Sequence, residues 1–353
     1  MTIIPIWLKL LIPLVSFGIA VLIGKFLIPF MHKISFGQTI EKFVGAKLES
    51  HQKKQGTPIM GGFMFIISSI VMTIVGYVIY RVVSLDITSP TTTTNVLRLL
   101  ACVVYSICFC GIGFADDYTK AVKKQNLGLT PKQKMLFQAI FSLLLLVVLR
   151  LLGDTSTEID FIFAKVDFGI FYYPIMILFM IFLSNAVNLT DGVDGLCGSV
   201  TVVTMLALST ICGILKLNEI SIFAIAIAGG CLGFLVWNLH PAKIFMGDTG
   251  SMFLGGSFVA IGMCTHQHLL VAVIGIIYVC EALSVVIQVT YFKITAKQHF
   301  KKTGEKGKGK RIFKMTPIHH HFELCGFSEY KIVTVFSIVS LLAGILSVML
   351  QIQ

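Results

Sequence analysis

The chain has 353 residues, of which 56% are hydrophobic and only 13% are charged, and its mean hydropathy is +0.89. This composition excludes an ordinary soluble domain and predicts one all-α polytopic membrane domain over residues 1–353. The net charge is +11. The basic residues lie in short connections without interleaved aromatic residues, which argues against a nucleic-acid partner.

Ten apolar runs are long enough to cross a membrane, because a span needs about 20 apolar residues. They are continuous rather than alternating, which favours helices over a β-barrel. The eighth run has the weakest signal. The ten predicted spans are 3–31, 59–80, 96–115, 135–153, 168–187, 196–215, 220–237, 250–265, 269–292 and 330–351.

Lys and Arg residues are distributed unevenly between the two sides of the predicted helices. The connections after spans 1, 3, 5, 7 and 9 hold 20 of the 28 basic residues. By the positive-inside rule these connections are cytoplasmic, and both termini lie outside.

Five of the nine aspartates lie at the cytoplasmic ends of apolar runs. They are Asp116, Asp117, Asp191, Asp194 and Asp248. A carboxylate at the hydrocarbon boundary costs free energy and persists mainly where it meets a cation, a partner or a substrate. The five aspartates therefore predict one site on the cytoplasmic face.

The first cytoplasmic loop ends in QGTPIMGG before the second span. Its Gly and Pro residues suit a helix start with free backbone N–H groups, and Lys53 lies just upstream, so the segment suits a phosphate. A capped helix start without a ligand explains the same residues.

The second loop begins with Asp116 and Asp117. Two adjacent carboxylates repel by about 4 kcal/mol at about 4 Å in an effective dielectric of about 20, so both stay ionised only beside lysines or a divalent cation. A metal or phosphate site and a salt-bridged helix end both fit.

Lys134, further along the same loop, lies in the first turn of the helix that Thr130 and Pro131 predict. The helix dipole disfavours a cation there, which indicates an external anion.

The third loop, NAVNLTDGVDGL, contains Asn188, Asp191 and Asp194. The two aspartates are three residues apart, so a helical turn would place them on one face. Gly192 permits close approach of a ligand. Such a turn can coordinate Mg²⁺ or hydrogen-bond a base and a ribose, and a structural Asx turn is the alternative.

The fourth loop, WNLHPAKIFMGDTGS, contains Asn238, Phe245, Gly247, Asp248 and Ser251. Asp248 precedes the eighth span, and a cap for that helix is the alternative explanation of this carboxylate. Capping does not explain Phe245 and Met246, which we expect to be exposed in a polar loop. An aromatic side chain beside polar donors suits stacking on a nucleobase.

The segment 293–329 is predicted as a long basic cytoplasmic loop. Its lysines fit either a mobile surface loop or the collection of an anionic substrate. The loop contains PIHHHFE, where His319, His320 and His321 suit the binding or protonation of phosphate near neutral pH. A zinc site is the less favoured alternative, because three consecutive histidines cannot all face one metal from a helix.

Together the loops supply carboxylates for a divalent cation, lysines and histidines for phosphates, and an aromatic ring for a base. These groups predict Mg²⁺-assisted phosphoryl transfer, and the membrane location implies that one reactant is a lipid. A secondary transporter is the alternative from another class. It predicts acids at the membrane midplane and an inverted repeat, whereas these acids cluster at one face. A structural scaffold has no use for co-facial carboxylates.

Five motifs resemble those of the bacterial phospho-N-acetylmuramoyl-pentapeptide transferase (translocase I) family, within the polyprenyl-phosphate N-acetylhexosamine-1-phosphate transferase superfamily. They are TPIMGG at 57–62, FADDYTK at 114–120, NAVNLTDGVDGL at 185–196, PAKIFMGDTGS at 241–251 and PIHHHFE at 317–323. They cover nearly the whole chain in the family's order, and PIHHHFE is typical of this branch. Ile59 departs from the family pattern, which usually has Thr at this place.

The resemblance implies a multi-pass enzyme of the bacterial inner membrane, with ten helices, both termini outside and usually a homodimer. It implies that UDP-N-acetylmuramoyl-pentapeptide and undecaprenyl phosphate react with Mg²⁺ to give lipid I and UMP in peptidoglycan synthesis. A sibling enzyme that uses a UDP-N-acetylhexosamine is the nearest alternative. Direct attack by the lipid phosphate is favoured over a covalent aspartyl intermediate, because a dianionic phosphate is already a nucleophile once Mg²⁺ screens the target.

The resemblance also implies roles for individual residues. Asp248 would be the Mg²⁺ ligand, Asp116 and Asp117 would handle the lipid phosphate, one of them as a candidate base, and Phe245 would stack on uracil. The residues implied for catalysis are Asp116, Asp117, Asp248, His319 and Lys134. Those implied for the nucleotide region are Asn188, Asp191, Asp194, Asn238, Gly247, Ser251 and Gln288. Those implied for the diphosphate or its sugar are Lys53, His319, His320 and His321.

Overall fold

The computed structural model describes residues 4–33, 56–84, 90–123, 128–161, 164–305, 307 and 309–352. Within these ranges the chain is almost entirely helical, which confirms the predicted all-α polytopic membrane class. The helices are α1 (Ile6–Lys33), α2 (Phe63–Ser84), α3 (Pro90–Lys123), α4 (Pro131–Leu151), α5 (Tyr172–Leu189), α6 (Leu196–Ile214), α7 (Asn218–Asn238), α8 (Gly247–Thr265), α9 (His268–Ile274), α10 (Ile276–Thr303), α11 (Ile318–Glu323) and α12 (Glu329–Ile352).

Nine helices in the described ranges are long and apolar enough to cross a membrane, and they match all the predicted spans except the eighth. The eighth run forms α8, whose first turn, GDTG, is polar. Every residue of α8 from Thr249 to Thr265 is buried. Because protein rather than lipid surrounds this helix, its sequence does not need to be as apolar as that of a lipid-facing span. Its burial explains the weak signal at 250–265.

The start of α8 is held between α2 and α3 by contacts that only glycine permits. A Cβ atom built on Gly113 in α3 would lie 2.1 Å from the backbone oxygen of Asp248. A Cβ atom built on Gly62, which precedes α2, would lie 2.4 Å from the Cα atom of Gly250. Since a side chain at either position would push the backbones apart, these glycines set how closely the carboxylates of α3 can approach α8.

The connection from α4 to α5 contains a small antiparallel hairpin, β1 (Glu158–Asp160) and β2 (Lys165–Asp167). Ile159 pairs with Val166 in this hairpin. An ion pair between Arg98 and Asp154 joins α3 to the same connection. The hairpin follows the C-terminal end of α4, and His266, just after α8, lies 3.3 Å from Asp154 in the same connection.

The segment 293–329, which the sequence predicts as a loop, is helical in part. The helix α10 continues to Thr303, and α11 covers Ile318–Glu323. Between them the chain folds back along α10, where the backbone N–H of Lys310 donates to Thr295 Oγ1 at 2.8 Å. Because the chain folds back here, His319 in α11 lies against the buried face of α10.

Candidate active site

Asp116, Asp117 and Asp248 meet at the junction of α3 and α8. One carboxylate oxygen from each lies within 4.8 Å of the others. Asp116 and Asp117 follow Gly113 by about one helical turn, so the close packing at that glycine brings them to the first turn of α8. The structure thus joins two of the three aspartate clusters that the sequence predicts to share a face.

Asp117 caps the N-terminus of α8 from a different helix. Its Oδ1 accepts a hydrogen bond from the backbone N–H of Asp248 at 3.1 Å. Its Oδ2 accepts from the backbone N–H of Thr249 at 2.8 Å and from Thr249 Oγ1 at 2.7 Å. The first N–H groups of a helix lack partners within the helix, and a negative charge there is favourable. The capping role that the sequence allows for Asp248 therefore belongs to Asp117.

Asp116 is buried, and the ammonium groups of two lysines contact its carboxylate. Lys120 Nζ lies 2.6 Å from its Oδ2, and Lys134 Nζ lies 3.1 Å from its Oδ1. The same Oδ1 accepts a hydrogen bond from the backbone N–H of Leu129 at 2.7 Å. A buried carboxylate needs such partners to remain ionised.

Asp248 shares both lysines with Asp116. Its Oδ2 lies 2.8 Å from Lys134 Nζ and 3.3 Å from Lys120 Nζ. Its Oδ1 accepts from Asn188 Nδ2 at 3.1 Å, and Asn188 also donates to Ser251 Oγ at 2.7 Å. Three carboxylates and two ammonium groups leave one excess negative charge when all are ionised, so this cluster attracts a further cation.

The helix start that Thr130 and Pro131 predict is present and aims Lys134 at the carboxylates. Thr130 Oγ1 accepts from the backbone N–H of Gln133 at 3.3 Å, and Gln133 Oε1 accepts from the backbone N–H of Thr130 at 2.9 Å. This reciprocal capping box fixes the first turn of α4. The anions that hold Lys134 against the helix dipole are Asp116 and Asp248.

The turn between α5 and α6, residues 190–195, lies between the aspartate cluster, His319 and the loop that precedes α8. Asn188, which precedes it, contacts Asp248. Gly192 in the middle lies against His319, where a Cβ atom would be 2.2 Å from His319 Nε2. At its end the backbone N–H of Gly195 donates to Asn238 Oδ1 at 3.0 Å.

Asp194 belongs to a second acidic cluster with His240 and Glu329. Asp194 Oδ2 lies 3.0 Å from His240 Nδ1 and accepts from the backbone N–H of Ala242 at 3.1 Å. Glu329 Oε2 accepts from the backbone N–H of Asp194 at 3.1 Å, and Glu329 Oε1 lies 3.3 Å from His240 Nδ1. Glu329 is the first residue of α12, so the last helix is tied to the 190–195 turn.

The loop before α8 is also fixed by internal hydrogen bonds. Asn238 Nδ2 donates to the backbone oxygen of Ile244 at 2.9 Å. The backbone N–H of Phe245 donates to Pro58 O at 2.9 Å, and Phe245 O accepts from the backbone N–H of Gly61 at 2.8 Å. The Phe245 ring is half-buried, as a stacking platform requires. Met246 is fully buried, so the expectation that it is exposed is wrong.

His319 is fully buried, and its partner is Glu281 in α10. His319 Nδ1 lies 3.1 Å from Glu281 Oε2, and the backbone N–H of His319 donates to the same oxygen at 3.4 Å. Neither side chain has measurable exposure. Glu281 is the one acidic residue inside the apolar run IIYVCEALSVV, and that isolation in an apolar run is the signal by which sequence reasoning could have found it.

The remaining predicted residues have separate partners. His320 Nδ1 lies 2.6 Å from Glu323 Oε2, and His321 Nδ1 accepts from the backbone N–H of Lys314 at 3.1 Å. Gln288 Oε1 accepts from the backbone N–H groups of residues 312 and 313 at 3.0 and 3.1 Å.

Gly247, Asp191 and Lys53 are the last of the predicted site positions. Gly247 has φ +75°, a left-handed conformation that favours glycine. Asp191 is half-buried, and its backbone N–H donates to Asn188 O at 3.2 Å. Lys53 lies outside the described residues.

Two comparisons with known proteins bear on this arrangement. Residues 99–266, which include all three clustered aspartates, match the family model described as Glycosyl transferase family 4. A phospho-N-acetylmuramoyl-pentapeptide-transferase of Halalkalibacterium halodurans is 41% identical over 344 residues, which are 97% of this chain and 97% of that protein.

Two further relatives carry the same name. The protein of Clostridium botulinum is 43% identical over 335 residues, 94% of this chain and 93% of its own length. That of Bacillus licheniformis is 41% identical over 341 residues, 96% of each chain. Identity at this level over nearly the whole length confirms the resemblance that the motifs indicate. The chain belongs to the phospho-N-acetylmuramoyl-pentapeptide-transferase family.

Proposed function

We propose that this enzyme transfers phospho-N-acetylmuramoyl-pentapeptide from its UDP derivative to undecaprenyl phosphate, forming lipid I and UMP in peptidoglycan synthesis. The cluster of Asp116, Asp117 and Asp248 with Lys120 and Lys134 carries the proposal, because it combines carboxylates for a cation with ammonium groups for phosphates. Relatives over nearly the full length carry the name of this activity. The chain is a multi-pass protein of the bacterial inner membrane.

The reaction balances without a further reactant. An oxygen of undecaprenyl phosphate attacks the phosphorus that carries the sugar, and a new P–O bond forms. The bond from that phosphorus to the oxygen of UMP breaks, and UMP leaves with the electron pair. Since a phosphate dianion is already a nucleophile, we favour direct attack without a covalent aspartyl intermediate. The protein then contributes positioning and charge neutralisation.

The donor set of the cluster fits Mg²⁺. This ion prefers carboxylate oxygens and keeps several waters, and three carboxylate oxygens converge within 4.8 Å. The partners of Asp117 include backbone N–H groups of α8, which cannot turn away. Asp248 Oδ2 is held instead by the two lysine side chains, so Asp248 would be the principal ligand with Asp116 beside it. When bound, Mg²⁺ neutralises charge on the diphosphate and polarises the phosphorus–oxygen bond.

The two lysines are placed to exchange carboxylate partners for phosphate partners. Lys120 and Lys134 both bridge Asp116 and Asp248. Their long side chains carry compact charges that can turn to phosphate oxygens when the substrate enters. Asn188 keeps Asp248 oriented during this exchange, because it donates to Asp248 Oδ1 and is itself anchored by Ser251.

We assign the nucleotide to the surface formed by the 190–195 turn and the loop before α8. The half-buried ring of Phe245 would stack on the base, and Asp191 would face the ribose and diphosphate. Asp194 and Asn238 shape this surface through the hydrogen bonds described above. Gln288, which we also assign to the nucleotide, anchors the backbone of residues 312 and 313. The residues we assign to the diphosphate or its sugar are Lys53, His319, His320 and His321.

We also propose that the site faces the cytoplasm, that both termini lie outside, and that the whole chain forms one domain and works as a homodimer. The connections on the side of the site hold 20 of the 28 Lys and Arg residues, which supports this orientation. Light scattering on the detergent-solubilised protein tests the dimer, and a monomeric mass at the concentration of the activity assay would contradict it.

The experiment that tests the function measures UMP release by purified protein from UDP-N-acetylmuramoyl-pentapeptide, with and without undecaprenyl phosphate. We expect release only with the lipid, together with a lipid-linked product. UDP-N-acetylglucosamine at equal concentration should not compete. Absence of release from folded protein would refute the assignment, and preferential use of UDP-N-acetylglucosamine would identify a sibling transferase instead.

A further inference from the structure

Glu281 is a carboxylate inside a membrane-spanning helix, and its side chain is fully buried. It lies in α10, within a stretch that is long and apolar enough to cross a membrane. A charged side chain in such a place is costly and is retained mainly where it has a specific partner and task. Its nearest cationic or imidazole partner in the described structure is His319, at 3.1 Å.

The geometry of the pair gives each ring nitrogen of His319 a different environment. Nδ1 lies 3.1 Å from Glu281 Oε2, and because an ionised carboxylate can only accept, a hydrogen bond between them requires the proton on Nδ1. Nε2 faces the 190–195 turn at Gly192, where a Cβ atom would lie 2.2 Å away. Among the described residues, Glu281 Oε1 and both ring nitrogens of His319 lack a hydrogen-bond partner of regular geometry, and the only polar contact of the ring is the 3.1 Å approach of Nδ1 to Glu281 Oε2. An unsatisfied buried nitrogen beside the site is costly without a function.

We propose that Glu281 is a positioning residue that holds the His319 imidazole with its proton on Nδ1 and its Nε2 toward the 190–195 turn. The inference rests on the proposed transfer reaction, in which His319 serves the diphosphate of the substrate. Glu281 does not reach the reacting atoms. It acts through the ring of His319, in the way that a carboxylate orients a functional histidine elsewhere.

The surroundings of the pair leave Glu281 as the group that orients the ring. The His320 ring packs against His319 with centroids 4.1 Å apart, but the carboxylate partner of His320 is Glu323. Gly192 presents no side chain. Replacement of Glu281 by Gln keeps the size of the side chain but removes its charge. An amide can also donate to Nδ1, so it no longer fixes which nitrogen carries the proton.

The test is a double-mutant cycle of Glu281→Gln and His319→Asn, read by UMP release. Glu281→Gln should lower kcat/KM by about tenfold or more, and it should change the same parameter, kcat or KM, as His319→Asn. In the His319→Asn background the further loss should be less than about twofold, because the ring on which Glu281 acts is gone.

A purely structural role predicts a different result. Glu281 also accepts from the backbone N–H of His319, and that hydrogen bond survives in His319→Asn. If Glu281 only anchors this backbone, Glu281→Gln should cost the same factor in both backgrounds, and that outcome would overturn the proposal. The matched control is Glu219→Gln, a buried carboxylate in the first turn of α7, whose effect should not depend on residue 319.

Thermal unfolding of the same variants tests the pairing without relying on activity. His319→Asn leaves a buried carboxylate without its imidazole and should lower Tm, and adding Glu281→Gln should restore part of the loss. A double variant less stable than His319→Asn, or failure to recover folded protein with either variant that carries Glu281→Gln, would overturn the proposal. A wild-type protein that releases no UMP would refute the proposed function, whereas this stability cycle would still test the pair.

Discussion

Replacement of Asp117 by Asn should destabilise the start of α8 in the absence of any substrate. The carboxylate accepts three hydrogen bonds, from the backbone N–H groups of Asp248 and Thr249 and from Thr249 Oγ1. An amide keeps one acceptor oxygen and turns an NH₂ group toward a second donor. One hydrogen bond to a charged acceptor is then lost, worth about 1.5–3 kcal/mol, and the others lose charge assistance. After allowance for the easier burial of an amide, we expect a loss of about 2–4 kcal/mol.

The assay is the free energy of unfolding in mixed micelles, measured for Asp117→Asn, Thr249→Val and the double variant. Thr249→Val removes one of the three donors with little change in shape. If Asp117 caps α8, the two substitutions should be coupled by about 1 kcal/mol or more. Glu158→Gln, in the exposed strand β1, should leave stability unchanged. Loss of activity in Asp117→Asn with unchanged stability would refute the capping role and favour Asp117 as a general base.

Three further substitutions test the packing, the charge and the second cluster. Gly113→Ala should destabilise the protein by about 1–3 kcal/mol, because the added Cβ would lie 2.1 Å from Asp248 O. Lys134→Met should lower kcat by about a hundredfold, since it removes a cation shared by Asp116 and Asp248. Glu329→Gln should cost about 1–3 kcal/mol of stability by weakening the hydrogen bond from the backbone N–H of Asp194 and the contact with His240, and it should raise KM for the nucleotide substrate.

Each of these substitutions has a matched control in the chain. A Cβ atom on Gly111 would meet no atom within 4 Å, so Gly111→Ala should be neutral, and an equal loss in both glycine variants would contradict the packing account. Lys132 is exposed in the same turn of α4 as Lys134, so Lys132→Met should retain activity. For Glu329→Gln, a stability and a KM equal to those of Glu158→Gln would show that the second cluster does not support the turn.

The helices could be predicted from the sequence because each lipid-facing span must be a long apolar run. The exception, α8, shows the limit of that rule, since a helix buried in protein does not need an apolar surface on every side. The shared location of Asp116, Asp117 and Asp248 could also be predicted, because alternating spans and the lysine distribution place them at corresponding helix ends.

The division of roles among these carboxylates could not be predicted. Asp117 caps α8 only because Gly113 lets two helices approach closely, and the sequence does not specify which helices will pack together. Glu281 and His319 are in contact although a folded-back segment lies between them in the sequence. Glu329 and Asp194 are in contact although they are 135 residues apart in the sequence. Such contacts depend on tertiary packing, so local spacing carries no information about them.

We propose that the carboxylate and lysine cluster is a Mg²⁺-dependent phosphoryl-transfer site centred on Asp248. Its most direct test is UMP release as a function of Mg²⁺ concentration for the wild type, Asp248→Asn and Asp160→Asn, a carboxylate of the distant strand β1. We predict that the wild type and Asp160→Asn respond alike and lose activity with a chelator, whereas folded Asp248→Asn is at least about a hundredfold slower at every concentration. Activity of Asp248→Asn within about twofold of the wild type would contradict the claim.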